Sequence, residues 1–305
     1  MAAIDGNRLT EAFASLKGSV KKTVLPFITA GYPDLATTAG LLDDFARRGV
    51  RVCELGIPFS DPIADGPVIQ ASYTEALAAG VTSEKVFEMV KAFRNSDFGF
   101  RIASDRGQGA NRGNPKSEIR NPKSAGAKAQ LAIIAMVSYS IVFKHDPAVY
   151  LDETRAAGID GLIVPDLPLD EAAALEGPAA QRGLCNIMLI APTTPPARRV
   201  EIARRSRGFI YYMSVAGITG ERDRLPDATV AAVAELRRHT DTPICVGFGV
   251  SNAATVAEVC KVADGAIVGS AIVHRIADAA RQGLSRDQIV ARVGQFVGEL
   301  LAPTT

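Results

Sequence analysis

Short runs of β-branched and aliphatic residues alternate with amphipathic helical patterns along most of the chain. The first two runs, Val24–Ala30 and Val50–Gly56, are separated by a helical pattern over Leu35–Arg48. Six further strands are predicted, each followed by a helix-like segment: Leu131–Val137, Gly161–Pro165, Leu184–Ile190, Phe209–Met213, Pro243–Gly247 and Gly265–Val268. Eight consecutive βα units predict a closed (β/α)8 TIM barrel, a single domain over residues 1–305, because covered parallel strands are typically near-continuous Val/Ile/Leu runs. An open doubly wound sheet is the structural alternative.

One segment, residues 98–128, interrupts this alternation. It is rich in Gly, Asn, Arg, Lys and Ser, and it carries Asn-Pro-Lys-Ser twice, at Asn114–Ser117 and Asn121–Ser124. With so few apolar residues it is predicted to be a flexible surface insertion. Because it follows a helix and precedes the third strand, we expect it on the N-terminal face of the barrel, opposite the chemistry.

The amino-acid composition excludes several classes of protein. The 305 residues are 47% hydrophobic, and 34 Lys and Arg residues balance 33 Asp and Glu residues to a net charge of +1, so no bulk attraction to nucleic acid or to an anionic membrane is expected. The four cysteines are far apart and are predicted to be buried free thiols. The N-terminus lacks the order of a secretory signal and no apolar run is long enough to span a bilayer, so a cytoplasmic protein is expected.

The segment Glu54–Pro67 places one carboxylate at the end of an apolar strand and another in the Pro- and Gly-rich loop that follows. If Glu54 points into the barrel, Cys53 and Leu55 face the helices, and apolar walls raise the pKa of Glu54 toward a range suited to proton transfer. The alternative is a structural acid paired with Arg or Lys at the rim.

Asp61 and Asp65 lie in the same loop, beside Pro or Gly, where Asp is also an ordinary turn residue. The presence of Glu54 favours a catalytic reading, because one acid can move protons while the other stays ionised and stabilises a developing positive charge. Asp65 lies deeper in the loop and is the predicted partner.

Glycines follow the last three predicted strands, at Ala216–Gly220, Gly247–Ser251 and Gly269-Ser270. Loops after strands seven and eight of such barrels, with the N-terminus of a short helix, form a recurrent phosphate site, so a phosphorylated small molecule is the expected ligand. Gly247-x-Gly249 also matches half of a dinucleotide fingerprint, but Asn252 replaces the third glycine and the next strand ends without an acid, which argues against NAD.

Other chemistries have little support in the sequence. The histidines, at 145, 239 and 274, lack metal-ligand spacing, so no metal is predicted. There is no Gly-x-Ser-x-Gly elbow and no phosphate-binding P-loop. No strand ends in an obvious Schiff-base lysine, so carbon–carbon cleavage would have to depend on carboxylates.

Six stretches resemble the tryptophan synthase alpha subunit family, and the resemblance covers nearly the whole chain except the insertion. They are Leu25–Asp34, Glu54–Pro67, Val164–Pro168, Ile190–Thr193, Ser214–Gly220 and Val246–Ser251. The resemblance implies cleavage of indole-3-glycerol phosphate to indole and glyceraldehyde 3-phosphate. It also implies docking on a beta subunit in an α2β2 heterotetramer, with pyridoxal phosphate only in that partner and no cofactor in this chain.

The resemblance also implies roles for individual residues. Glu54 would move the protons and Asp65 would hold the indole nitrogen. Phe27 and Tyr211 would line the indole pocket, and Thr219 would close over the site. The phosphate would be bound by Gly220, Gly249, Gly269 and Ser270. Ser138 and Ser140 stand where many relatives place a tyrosine and an asparagine.

Two alternatives remain open from the residues. One is a barrel without catalytic activity that activates a partner; intact Glu54 and Asp65 argue against it. The other is a barrel synthase that forms indole-glycerol phosphate, which would need a catalytic lysine on a strand, and none is evident.

Overall fold

A computed structural model gives the structure of the protein. It describes residues 4, 6–19, 21–62, 65–95, 122–214, 225–247 and 249–304, with side chains from residue 126 onward in the segment that begins at 122. The predicted insertion, 98–128, lies outside the described residues as far as 121. Its last residues, from Pro122, belong to a helix that ends at Gln130.

The described strands form a closed parallel barrel in sequence order, β1 to β8, with β8 paired to β1. The strands are β1 Thr23–Thr29, β2 Val52–Gly56, β3 Ala132–Met136, β4 Gly161–Ile163, β5 Cys185–Ile190, β6 Ile210–Met213, β7 Ile244–Gly247 and β8 Gly265–Val268. The (β/α)8 barrel predicted from the alternation is confirmed, and the open sheet is excluded.

Helices surround this barrel. The helices of the described residues are α1 Arg8–Ser19, α2 Leu35–Arg47, α3 Pro67–Ala78, α4 Ser83–Arg94, α5 Pro122–Gln130, α6 Tyr139–Lys144, α7 Pro147–Ala157, α8 Ala173–Gln181, α9 Pro196–Arg205, α10 Asp227–Leu236, α11 Ala253–Cys260, α12 Ser270–Arg281 and α13 Arg286–Leu301. Local chemistry fixes several starts: the Asp34 carboxylate accepts from the Thr37 amide at α2, and Ser285 forms a capping box with Gln288 at α13.

Alternation along the strands divides the apolar residues into two clusters. Leu25, Val52, Ile134, Ile187 and Ile267 belong to a cluster that fills the barrel. Their strand neighbours, such as Cys53 and Leu55, belong to the larger cluster between the strands and the helices. Because successive side chains point to opposite sides of a strand, Glu54 and Gly56 share the inner side of β2 with Val52.

A buried ionic cluster holds the N-terminal end of the barrel. Asp160, which immediately precedes β4, is fully buried, and its Oδ2 accepts a hydrogen bond from the Ile133 amide at 2.9 Å. Arg8 Nε lies 3.0 Å from its Oδ1, and an Arg94 nitrogen donates to its Oδ2 at 3.2 Å. Burial raises the pKa of Asp160, and the two guanidinium groups oppose that shift. The cluster ties α1 and α4 to the strands.

Arg94 also connects the described chain before the predicted insertion to the segments that enter β3 and β4. It closes α4 and donates to the carbonyl oxygens of Leu131 and Gly158, at 2.8 and 3.0 Å. Both carbonyls lie in segments that lead into strands, so the described chain on either side of the insertion approaches the N-terminal end of the barrel.

Candidate active site

Glu54 lies at the inner side of β2, near its C-terminal end, and is fully buried. Among the described residues neither of its carboxylate oxygens has a hydrogen-bond partner. Burial raises its pKa well above the usual range for a glutamate. A buried acid that neither a cation nor a hydrogen bond satisfies is costly for folding, which makes a structural role for Glu54 a poor explanation.

Asp65 lies in the loop between β2 and α3 and is partly buried. Gln70 on α3 fixes this loop, because its side-chain amide donates to the Asp65 carbonyl at 2.8 Å and to the Pro62 carbonyl at 3.1 Å. Burial raises the pKa of Asp65 to about 6. Asp61, by contrast, is exposed.

Two tyrosines show that the two acids face one space. Tyr73 on α3 is buried and Tyr211 on β6 is partly buried, and the charges of Glu54 and Asp65 both add to the rise in their pKa values. Tyr73 and Asp65 also line one cavity at the mouth of the barrel, together with Ile57, Phe59, Met136 and Asp166. Tyr73 was not predicted from the sequence, although the four-residue spacing between Ile69 and Tyr73 puts both side chains on the face of α3 that is turned to the barrel.

Phe27 forms one wall of this mouth. It pairs in register with Glu54 across β1 and β2 and is 3% exposed. A Cβ added to Gly56 would lie 2.5 Å from the Phe27 ring and 2.5 Å from the Tyr73 hydroxyl, so only glycine leaves these two aromatic side chains room at the end of β2. A Cβ on Gly247 would likewise lie 3.0 Å from the Tyr211 hydroxyl.

The last two strands end in the predicted glycine-rich segments. Gly249 has a φ of 23°, outside the ordinary range of L-residues. Strand β8 is followed at once by Gly269 and by α12, which begins at Ser270, so the positive end of the α12 dipole lies at the mouth of the barrel. We expected a short additional helix here, and α12 instead has 12 residues.

Packing does not require a glycine at position 269, because a Cβ added there would lie 3.6 Å from the nearest protein atoms. Thr219 and Gly220, predicted to close the site and to bind phosphate, lie outside the described residues.

A hydrogen-bonded cluster borders the mouth beside β3 and β4. Asp166, after β4, accepts from the Ser138 hydroxyl at 2.6 Å and from the Tyr139 amide at 2.8 Å, and the Ser138 and Ser140 hydroxyls lie 2.8 Å apart. The serines that depart from the pattern of many relatives therefore anchor the start of α6 to the next loop.

Among the described residues, no group of three His, Cys, Asp or Glu side chains is close enough to hold a metal ion. In that part of the chain, no helix combines the length and apolar character that crossing a bilayer requires.

Known proteins resemble this chain over most of its length. The family profile described as "Tryptophan synthase alpha chain" matches residues 13–102 and 119–301, so the unmatched gap falls inside the predicted insertion. The tryptophan synthase alpha chain of Rhodopirellula baltica is 43% identical over 277 residues, 91% of this chain and 89% of that protein. The one from Microcystis aeruginosa is 42% identical over 271 residues, 88% and 90% of the two chains.

Solved structures agree. The tryptophan synthase subunit alpha of Legionella pneumophila superposes with a TM-score of 0.79 at 28% identity, covering 98% of each chain. A chain from the aminoacrylate-bound tryptophan synthase of M. tuberculosis superposes with a TM-score of 0.76 at 25% identity, covering 98% of this chain and all of that one.

Proposed function

The chain belongs to the tryptophan synthase alpha chain family, and we propose that Glu54 and Asp65 carry out its reaction. As a member of this family it is a lyase of tryptophan biosynthesis that cleaves indole-3-glycerol phosphate to indole and glyceraldehyde 3-phosphate. The observation that supports the assignment of residues is the unpartnered, fully buried carboxylate of Glu54 at the mouth of the barrel.

The cleavage moves two protons. The indole ring carbon that carries the glycerol chain gains a proton, the adjacent chain hydroxyl loses one, and the bond between the ring and the chain breaks as that hydroxyl becomes a carbonyl. Glu54 serves both transfers, because its raised pKa lets it hold a proton near neutral pH and release it. It gives a proton to the ring carbon and takes one from the hydroxyl.

Asp65 has a different task. Protonation of the ring carbon places positive charge on the indole nitrogen, and an ionised carboxylate beside the N–H stabilises that charge. With a pKa of about 6, Asp65 is mostly ionised at neutral pH, whereas burial raises the pKa of Glu54 well above the usual range for a glutamate. Their different burial thus separates a proton carrier from a charge holder.

The remaining predicted residues bind the two ends of the substrate. Phe27 and Tyr211 form apolar walls for the indole ring. Gly249, Gly269 and Ser270 receive the phosphate at the start of α12, where the helix dipole favours an anion and the absence of side chains permits close approach. We assign Thr219 and Gly220 to closure of the site and to phosphate binding by resemblance alone.

The expected partner is a tryptophan synthase beta subunit, which would hold pyridoxal phosphate, whereas this chain would need no cofactor. Phe143 on α6 supports docking at the mouth of the barrel. It is 68% exposed and lies against Tyr139, with ring centroids 6.0 Å apart. An exposed phenylalanine that packs on a partly buried tyrosine is typical of a surface that a protein partner covers.

The decisive experiment supplies indole-3-glycerol phosphate to the purified chain and measures indole release. We expect Glu54→Gln to lower kcat by about 10²- to 10⁴-fold, the range for a lost general acid–base. Glu75→Gln, an exposed position on α3, is the matched control and should be unchanged. Equal rates from wild type and Glu54→Gln would refute the assignment.

The same assay tests two further proposals. Added beta subunit should change the rate in a saturable way, and no change together with no co-elution would contradict docking. Deletion of residues 103–118, which the family profile does not match, should leave kcat nearly unchanged if the insertion lies on the face remote from the chemistry.

A further inference from the structure

The proposed role of Glu54 creates a physical problem. To take a proton from the substrate hydroxyl, Glu54 must be ionised, yet burial alone accounts for its shifted pKa, and no described cation offsets that burial. Neither oxygen has a described hydrogen-bond donor. A buried carboxylate without a donor stays protonated, so the ionised form needs a donor during turnover.

Few polar groups face Glu54 from the elements packed around it. The titratable groups that interact with it electrostatically, or share the mouth with it, are Cys53 on β2, Asp65 in the following loop, Tyr73 on α3, Tyr211 on β6 and Cys245 on β7. Asp65 carries like charge, and the two thiols are weak donors. The phenol hydroxyls are strong donors, and burial keeps them neutral at physiological pH.

Geometry distinguishes the two phenols. Gly56 follows Glu54 by two residues on the same inner side of β2, and the Tyr73 hydroxyl is 2.5 Å from the position that a Cβ on Gly56 would take. Tyr211 starts from β6, on the opposite side of the barrel, and its hydroxyl lies against Gly247 of β7. Tyr73 is therefore the phenol at the end of Glu54's own strand.

Packing holds Tyr73 in that place. Its side chain is 2% exposed, and the Phe59 ring lies beside it with centroids 6.5 Å apart. The missing side chain of Gly56 is what allows the hydroxyl to reach the inner wall.

We propose that Tyr73 is a positioning residue whose neutral hydroxyl donates a hydrogen bond to the ionised carboxylate of Glu54 while substrate is bound, and that Gly56 provides the space for that bond. Tyr73 transfers no proton in this role. The bond stabilises the charged form of Glu54 and orients its oxygens toward the substrate. That role of Tyr73 rests on the proposed function of Glu54.

The test is Tyr73→Phe, which removes only the hydroxyl. A hydrogen bond to a charged group of this kind predicts a loss in kcat of about 10- to 100-fold, with KM within about twofold of wild type. Without the donor Glu54 ionises less readily. The basic limb of the kcat–pH profile, where Glu54 loses the proton that it must give to the ring carbon, should therefore move to higher pH. Tyr212→Phe, a buried tyrosine on the outer side of β6, is the matched control and should show neither change.

A second variant keeps the proposal testable if Tyr73→Phe does not fold. Gly56→Ala places a methyl group 2.5 Å from the present position of the hydroxyl and should shift the basic limb in the same direction, with a raised KM because the Phe27 ring must also move. In the Gly56→Ala/Tyr73→Phe double variant the losses in kcat should not add, since both remove one bond.

The outcomes separate this inference from the proposed function. An unchanged kcat and basic limb in Tyr73→Phe, or additive losses in the double variant, would overturn the role of Tyr73 while Glu54→Gln still loses activity. Glu54→Gln with wild-type activity would overturn the proposed function itself.

Discussion

Two fully buried carboxylates lie at opposite ends of the same barrel and have opposite surroundings. Asp160, before β4, receives two guanidinium groups and the Ile133 amide. Glu54, near the end of β2, receives no hydrogen bond from any described residue. Burial raises the pKa of both, but only at Asp160 do nearby cations oppose the shift.

The difference shows what burial alone does not reveal. Removing a buried acid whose charge nearby cations compensate destabilises the fold, because it leaves those cations without their anion. A buried acid without partners destabilises the fold and suggests a role in chemistry that needs its shifted pKa. We therefore expect the N-terminal end of the barrel to serve stability and the opposite end to serve catalysis, as is general for this architecture.

The largest effect should come from breaking the cluster at the N-terminal end. Asp160→Ala leaves the partly buried Arg8 and Arg94 without their anion, so we expect a loss of about 3–5 kcal/mol in the free energy of unfolding. Urea denaturation followed by circular dichroism measures it. The control is Asp43→Ala, whose ion pairs with Arg47 and Lys128 lie nearer the surface and should contribute no more than about 1 kcal/mol.

The same variant, Asp160→Ala, should retain its catalytic activity. At a temperature where Asp160→Ala remains folded, its kcat should match wild type within about threefold, since Asp160 lies at the end of the barrel remote from the reacting atoms. A stable Asp160→Ala, or a folded variant without activity, would contradict the division between the two ends.

The two ends of the barrel differ in how much of each can be predicted from the sequence, and the reason is physical. Strand positions follow from local apolar runs, and the predicted strands match the observed ones within about two residues. The fourth strand ends at Ile163 rather than Pro165, because the chain turns there, with the Leu167 amide donating to the Val164 carbonyl. Proline also has no N–H to continue the ladder.

The site is predictable where a residue's place on its own strand defines its task. The sequence predicts Glu54 from its place on a strand and Asp65 from its place in the loop that follows, and their catalytic roles stay a prediction. The cluster around Asp160 was not, because Arg8 and Arg94 are 152 and 66 residues away along the chain. Tyr73 was missed because an aromatic residue on a helix ordinarily indicates core, and only the barrel brings its hydroxyl to Gly56.

Asp65, a third carboxylate, is only partly buried and should show an intermediate effect. Its pKa of about 6 predicts that kcat/KM falls as pH drops through 6, because the ionised form is the one that supports the indole nitrogen. Asp65→Asn should lower kcat by about 100-fold and remove that part of the pH dependence. Initial rates of indole release between pH 5 and 8 measure both, and an unaltered acidic limb in Asp65→Asn would assign the limb to another group.

The smallest effect concerns the stability that Glu54 costs the fold. Its pKa is raised well above 4.5 in the folded chain, so above that pH the unfolded chain releases a proton that the folded chain retains. Wild-type stability should therefore fall as pH rises through the folded pKa. Glu54→Gln cannot ionise, and we expect it to match wild type below pH 4 and to be the more stable of the two near pH 7.

Urea denaturation of both proteins from pH 4 to 8 measures this difference, and Asp160→Ala provides the contrast because it should be less stable than wild type throughout. If Glu54→Gln and wild type had the same dependence on pH, Glu54 would ionise as easily in the folded chain as in the unfolded one. That result would require a cation or a strong hydrogen-bond donor beside Glu54 already in the free protein. The charge of Glu54 would then be compensated, as the charge of Asp160 is.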